Sequence, residues 1–94
     1  MTEDCFTSVW DALEDSSAEA ANMKARATLM AALQETIGSW KLTQVEAAKK
    51  LGVTQPRMND LLRGRIDKFS MDALMLLTSS AGLTIEWRVV PNAA

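Results

Sequence analysis

Residues 42–62, "LTQVEAAKKLGVTQPRMNDLL", decide the fold. Thr43 with Glu46 three residues on has the form of a capping box, so a helix opens at Gln44. It runs to Leu51, with Val45, Ala48 and Leu51 turned inward. Gly52 ends it, because the tight turn that follows needs a residue tolerant of positive φ. Val53 plugs that turn. A second helix opens around Pro56, whose missing N–H is no loss in a first turn. Thr54 is the better capping side chain but asks Gln55 to be helical just before a proline. Gln55 as cap gives Pro56 its preferred place behind a poor capping group. Met58, Leu61 and Leu62 pin this helix to the core. Two short helices that cross steeply need a small residue where they approach, which Ala48 supplies, and the whole reads as a helix-turn-helix.

Upstream, Arg26, Leu29, Met30, Leu33 and Ile37 recur at helical spacing. Ser16 and Glu19 form a second capping box that opens this helix, which ends near Ile37, with Trp40 just past Gly38. Phe6, Val9, Trp10 and Leu13 predict a separate short amphipathic helix over 5–14. Downstream, Ser70 caps a helix that Phe69 and Leu74 staple, Asp72 complements and Gly82 stops. The period then changes: Leu83, Ile85, Trp87 and Val89 alternate with Thr84, Glu86 and Arg88, the pattern of a half-buried strand that Pro91 ends. The chain offers no second strand to pair with it. The pattern therefore predicts pairing with the same strand of a second copy, or with a strand on another protein. The plainer alternative is an extended tail packed on its own domain. The expected architecture is mainly α, about five helices with one C-terminal β-strand paired across a dimer. An acidic arm spans 1–19, the helix-turn-helix domain 20–82 (motif 44–62), and the dimerisation strand and tail 83–94.

Charge separates along the chain, although the net value is only −2. Residues 1–22 hold six acids (Glu3, Asp4, Asp11, Glu14, Asp15, Glu19) and no base. Residues 41–68 hold seven bases (Lys41, Lys49, Lys50, Arg57, Arg63, Arg65, Lys68) against three acids (Glu46, Asp60, Asp67), a local excess of +4. Such asymmetry points to a polyanion-binding half and an acidic arm. Cys5 is the single cysteine and histidine is absent, so no internal disulfide forms and Cys5 reads as a small residue near the terminus. With no Gly-rich phosphate loop and no spaced ligand set, no enzyme activity, cofactor or metal is expected. No apolar run is long enough to cross a bilayer and no signal peptide is evident, so a cytoplasmic protein without a membrane partner is the expectation.

The outer face of the second motif helix carries Gln55, Pro56, Asn59, Asp60 and Arg63, with Arg57 on its flank. Long polar side chains at the leading end of such a helix reach base edges in the major groove: arginine bridges the acceptors of guanine, and asparagine or glutamine pairs with adenine. Thr43 and Gln44, at the start of the preceding helix, suit a phosphate, and Arg63, Arg65 and Lys68 add phosphate contacts on the far side.

"LTQVEAAKKLGVTQPRMNDLLRGRIDKFS" (42–70) resembles the lambda-repressor-like, XRE-type helix-turn-helix regulators, and within them the short HigA-type antitoxins. The likeness covers roughly residues 20–90. It implies a lambda-repressor-like bundle in which Gln44 and Gln55 cooperate, one on phosphate and one on adenine. It places the other base-reading positions on Arg57 and Asn59, with Thr54 at the junction. It also implies a homodimer on an inverted-repeat operator in double-stranded DNA, repressing its own operon. HigA-like members neutralise a cognate ribosome-dependent mRNA-cleaving toxin. A phage-type or stand-alone repressor, or a protein-binding module that reuses the fold, are the alternatives.

Overall fold

The computed structural model describes residues 8–91, with side chains from Ser17 onward. Cys5 and Phe6 lie outside the described residues, as do the side chains of Val9, Trp10 and Leu13 and the tail beyond Pro91. Four α-helices and one 3-10 turn make up the described chain: α1 Ser8–Trp40, α2 Gln44–Leu51, α3 Gln55–Leu62, the turn Ile66–Lys68, and α4 Met71–Ser80.

A break at Ser16 was expected between two helices, yet the 33 residues of α1 run as one. A capping box acts only where the preceding helix has ended, and no Gly or Pro interrupts the chain between Ser8 and Ile37. Two serines in an Ala-, Leu-, Glu- and Met-rich run cost only a few tenths of a kcal/mol each in helix propensity, roughly, and cannot stop it. The helix also passes Gly38 and ends at Trp40. Lys41 then takes a left-handed φ of 54°, and its N–H donates to the Gly38 carbonyl at 3.3 Å.

One core holds the bundle. Met30, Leu33 and Ile37 of α1 pack with Ala47, Ala48 and Leu51 of α2, Met58 and Leu61 of α3, Phe69, and Leu74 of α4. Leu33, Met58 and Leu74 are wholly enclosed, and burial of each such side chain contributes about 1.5–3 kcal/mol before entropy is counted. Val45 and Leu62, expected to face inward, are exposed, and Ala47 is buried instead. At about 100° per residue, Ala47, Leu51 and Ala48 share an arc of about 100°, and Val45 lies about 60° beyond its edge. Leu62 is the last residue of α3 and sits on the rim of the buried face.

The caps hold as the local chemistry dictates. The Ser70 hydroxyl accepts from the Ala73 N–H at 3.0 Å, and Phe69 and Leu74, which flank it, are both buried. The buried Thr78 hydroxyl is satisfied within α4, donating to the Leu74 carbonyl at 2.7 Å.

Beyond Gly82 the expected strand does not appear: residues 83–91 have no assigned secondary structure. Its burial rhythm does begin, with Leu83 and Ile85 half-buried and Thr84 and Glu86 exposed. A ladder needs a partner backbone, and none lies beside this segment among the described residues. Ile85, Glu86 and Trp87 instead line a shallow groove with Ala25, Thr28 and Leu29 of α1 and Met71 of α4.

Candidate nucleic-acid interface

The turn between α2 and α3 is built from three backbone devices. Thr43 caps α2 with a complete box: its hydroxyl accepts from the Glu46 N–H at 3.1 Å, and the Glu46 carboxylate accepts from the Thr43 N–H at 3.0 Å. Gly52 takes φ 82°, and the Val53 N–H reaches back to the Ala48 carbonyl at 3.0 Å. Thr54 then caps α3, its hydroxyl accepting from the Arg57 N–H at 3.3 Å. This settles the capping question in favour of Thr54. Gln55 is the first helical residue and Pro56 the second, both within the turn whose N–H groups have no helical acceptor.

Thr54, Gln55 and Pro56 are exposed at the leading end of α3, and Asn59 and Asp60 are half-buried along it. No acid stands in the first turn of α3, so the positive end of its dipole is not neutralised there. The same end of α2 is different, because the Glu46 carboxylate occupies it. Gln44 links the two helices: its Nε2 donates to the Gln55 carbonyl at 3.4 Å, a long bond that leaves its other N–H and its amide oxygen for a ligand.

The basic side chains surround the far end of α3. Arg63 is its C-cap and exposed. Gly64 follows with φ 74°; its N–H and that of Arg65 return to the Leu61 and Asp60 carbonyls at 3.1 and 3.0 Å, a left-handed closure of the helix. Arg65 faces Asp60 at 3.8 Å, a surface pair too loose and too solvated to hold the guanidinium back from a stronger anion. Lys68 is exposed.

Arg57 is placed differently from its neighbours. Its guanidinium lies over the Phe69 ring, 4.1 Å from the centroid, and Nη1 donates to the Lys68 carbonyl at 2.8 Å. Of Leu83, Ile85, Trp87 and Val89, Ile85 and Trp87 line the groove against α1 and α4.

Two residues that support the site carry no local signal strong enough to find them. Arg26 of α1 donates through Nη1 to the carbonyls of Ile66 and Phe69, at 3.1 Å each, and through Nε to the Asn22 side chain at 2.7 Å. Gln34 of α1 donates to the Leu61 and Leu62 carbonyls at 3.0 and 3.3 Å, closing the C-terminus of α3. Both are polar residues set into or beside the apolar stripe of α1, which is the one hint that the sequence holds.

A short capped helix, a left-handed glycine turn and a second short helix with an exposed leading end, all on one core, define a helix-turn-helix. The model of a helix-turn-helix domain family matches residues 12–90, and the chain belongs to that family. A comparison with curated proteins finds no match. No helix among the described residues is long and apolar enough to cross a membrane.

Proposed function

We propose that the protein is a regulator that binds double-stranded DNA sequence-specifically and represses its own operon from an inverted-repeat operator. The observation that carries this reading is the exposed, acid-free leading end of α3, where Thr54 and Gln55 stand joined to Gln44, on a helix whose far end carries Arg63, Arg65 and Lys68. Thr54, Gln55 and Asn59 read base edges in the major groove. Thr43, Gln44, Arg63, Arg65 and Lys68 meet phosphates, with the Thr43 hydroxyl proton free to donate because its oxygen accepts the capping bond.

The reading includes a homodimer formed through residues 83–89, supported by the exposure of the apolar side chains Trp87 (65%) and Val89 (92%). Two copies place their α3 helices in successive major grooves, about 34 Å apart. The antitoxin role is the finer form of the proposal. It is supported by the acidic run Asp11, Glu14, Asp15 and Glu19, which lies in α1 and suits a basic toxin surface. Such a regulator acts in the cytoplasm.

The test is the salt dependence of binding to the duplex upstream of the protein's own reading frame, beside a scrambled duplex. Three cationic side chains per protomer give a log–log slope of about −5 for a dimer, a loss of about 10³ in affinity between roughly 50 and 200 mM salt. A slope near zero, or equal affinity for both duplexes, refutes the reading.

A further inference from the structure

The segment joining α3 to α4 is short, carries Arg63, Arg65 and Lys68, and adds side-chain bonds to the backbone bonds of its own 3-10 turn. Its carbonyls are taken from two directions. Gln34 and Arg26, both on α1, take those of Leu61, Leu62, Ile66 and Phe69. Arg57, on α3 itself, takes that of Lys68. A flexible basic loop meets a phosphate only after losing conformational entropy; a loop fixed beforehand does not lose it on binding.

Arg57 is the unusual member of this set, because it sits two residues from Gln55 on the helix that presents its leading end to solvent. Its flat guanidinium covers the face of Phe69, a ring only 1% exposed, and its shortest polar bond is to the backbone of Lys68. Stacking on a buried ring and bonding a carbonyl fixes both the plane and the edge of the group. Bridging guanine through Nη1 and Nη2 would take the guanidinium off this seat.

We propose that Arg57 is a positioning residue, which locks the 66–69 turn to α3 so that Lys68 and Arg65 stand in register with the DNA backbone, and that it does not read a base pair. The assignment rests on the DNA-binding reading above. The lock makes the base-facing end of α3 and the phosphate-facing turn one rigid unit.

The test uses the full chain and a pool of short duplexes with a randomised centre. Wild type, Arg57→Met, Arg57→Lys, Lys68→Ala and the Arg57→Met/Lys68→Ala double variant each select from the pool, at a temperature where circular dichroism shows them folded. Arg57→Met is expected to select the same bases as wild type at every position and to bind every duplex about tenfold more weakly. The double variant should bind within about two- to threefold of the weaker single variant, because Arg57 acts through Lys68. Arg57→Lys keeps a cation and a donor, so it should fall between wild type and Arg57→Met with unchanged preferences. It also serves as the test variant should Arg57→Met fail to fold. Loss of preference at one base pair in either Arg57 variant, or losses that multiply in the double variant, overturns the assignment. Failure of the wild-type chain to select any DNA instead removes the regulator reading, and this assignment with it.

Discussion

Arg26→Met removes the guanidinium of Arg26 and keeps most of its apolar stem, so it isolates one polar clamp. The change deprives the carbonyls of Ile66 and Phe69 of a charged donor that stands 3.1 Å from each. Hydrogen bonds to charged groups contribute about 1.5–3 kcal/mol and neutral ones about 0.5–1.5. Arg26 is only half-buried, so water replaces part of each lost bond and about 1–1.5 kcal/mol per carbonyl is the fitting value. The expected loss is therefore about 2–3 kcal/mol, a sizeable fraction of the roughly 5–15 kcal/mol that stabilises a domain. At about 4–8 °C per kcal/mol for a chain of this size, Tm should fall by about 10–20 °C. Urea unfolding followed by circular dichroism measures it, and fluorescence gives a second probe because Trp40 packs against the core. Asn22→Ala is the control: it removes the exposed 2.7 Å bond to Nε and should cost less than about 0.5 kcal/mol. A loss below about 0.5 kcal/mol for Arg26→Met, or equal losses for the two variants, would show that the clamp does not hold the turn.

Gly52→Ala meets no heavy atom within 4 Å and is strained only through its φ of 82°, so it should lower the unfolding free energy by about 1–2 kcal/mol, measured by urea titration. No loss would mean that the turn relaxes into another conformation. Gln55→Ala should weaken operator binding by about 1–3 kcal/mol and relax preference at one base pair per half-site, read by competition between duplexes; a uniform loss across sequences contradicts base reading. Trp87→Asp and Val89→Asp alter exposed side chains and should leave Tm within a few degrees of wild type while giving monomers in sedimentation. A dimer that survives both changes places the interface elsewhere.

The limits of α2 and α3 could be read from the sequence because every signal involved is local. Thr43, Glu46, Gly52, Thr54 and the apolar residues between them act over fewer than twenty positions. The same holds for Ser70, Phe69 and Leu74 at the start of α4. What could not be read depends on partners far along the chain. Arg26 reaches carbonyls 40 and 43 residues away, and Gln34 reaches 27; no periodicity encodes such a pairing. Ser16 misled for the opposite reason: a correct local cap pattern does nothing where the helix has no cause to stop. The segment after Gly82 shows a third case, since Leu83 and Ile85 keep the alternation of a strand while the hydrogen bonds that define one need a second backbone. Within the site, a helical wheel puts Arg57 on the flank of α3, and it takes the Phe69 ring, twelve residues on, to show where its guanidinium goes.

The unbroken α1 has a consequence for how the molecule opens. Residues 17–24 are exposed on every side, whereas Met30, Leu33 and Ile37 are locked in the core. One helix thus spans two stability scales. Amides of residues 17–24 should exchange with solvent through local fraying, at little free-energy cost, while those from Met30 to Ile37 should exchange only when the whole domain unfolds. The boundary falls at Arg26, whose clamp is the first tie between α1 and the α3–α4 turn. Trypsin should therefore cut after Lys24 well before it cuts after Arg26, separating the acidic end of the helix from a helix-turn-helix that stays folded.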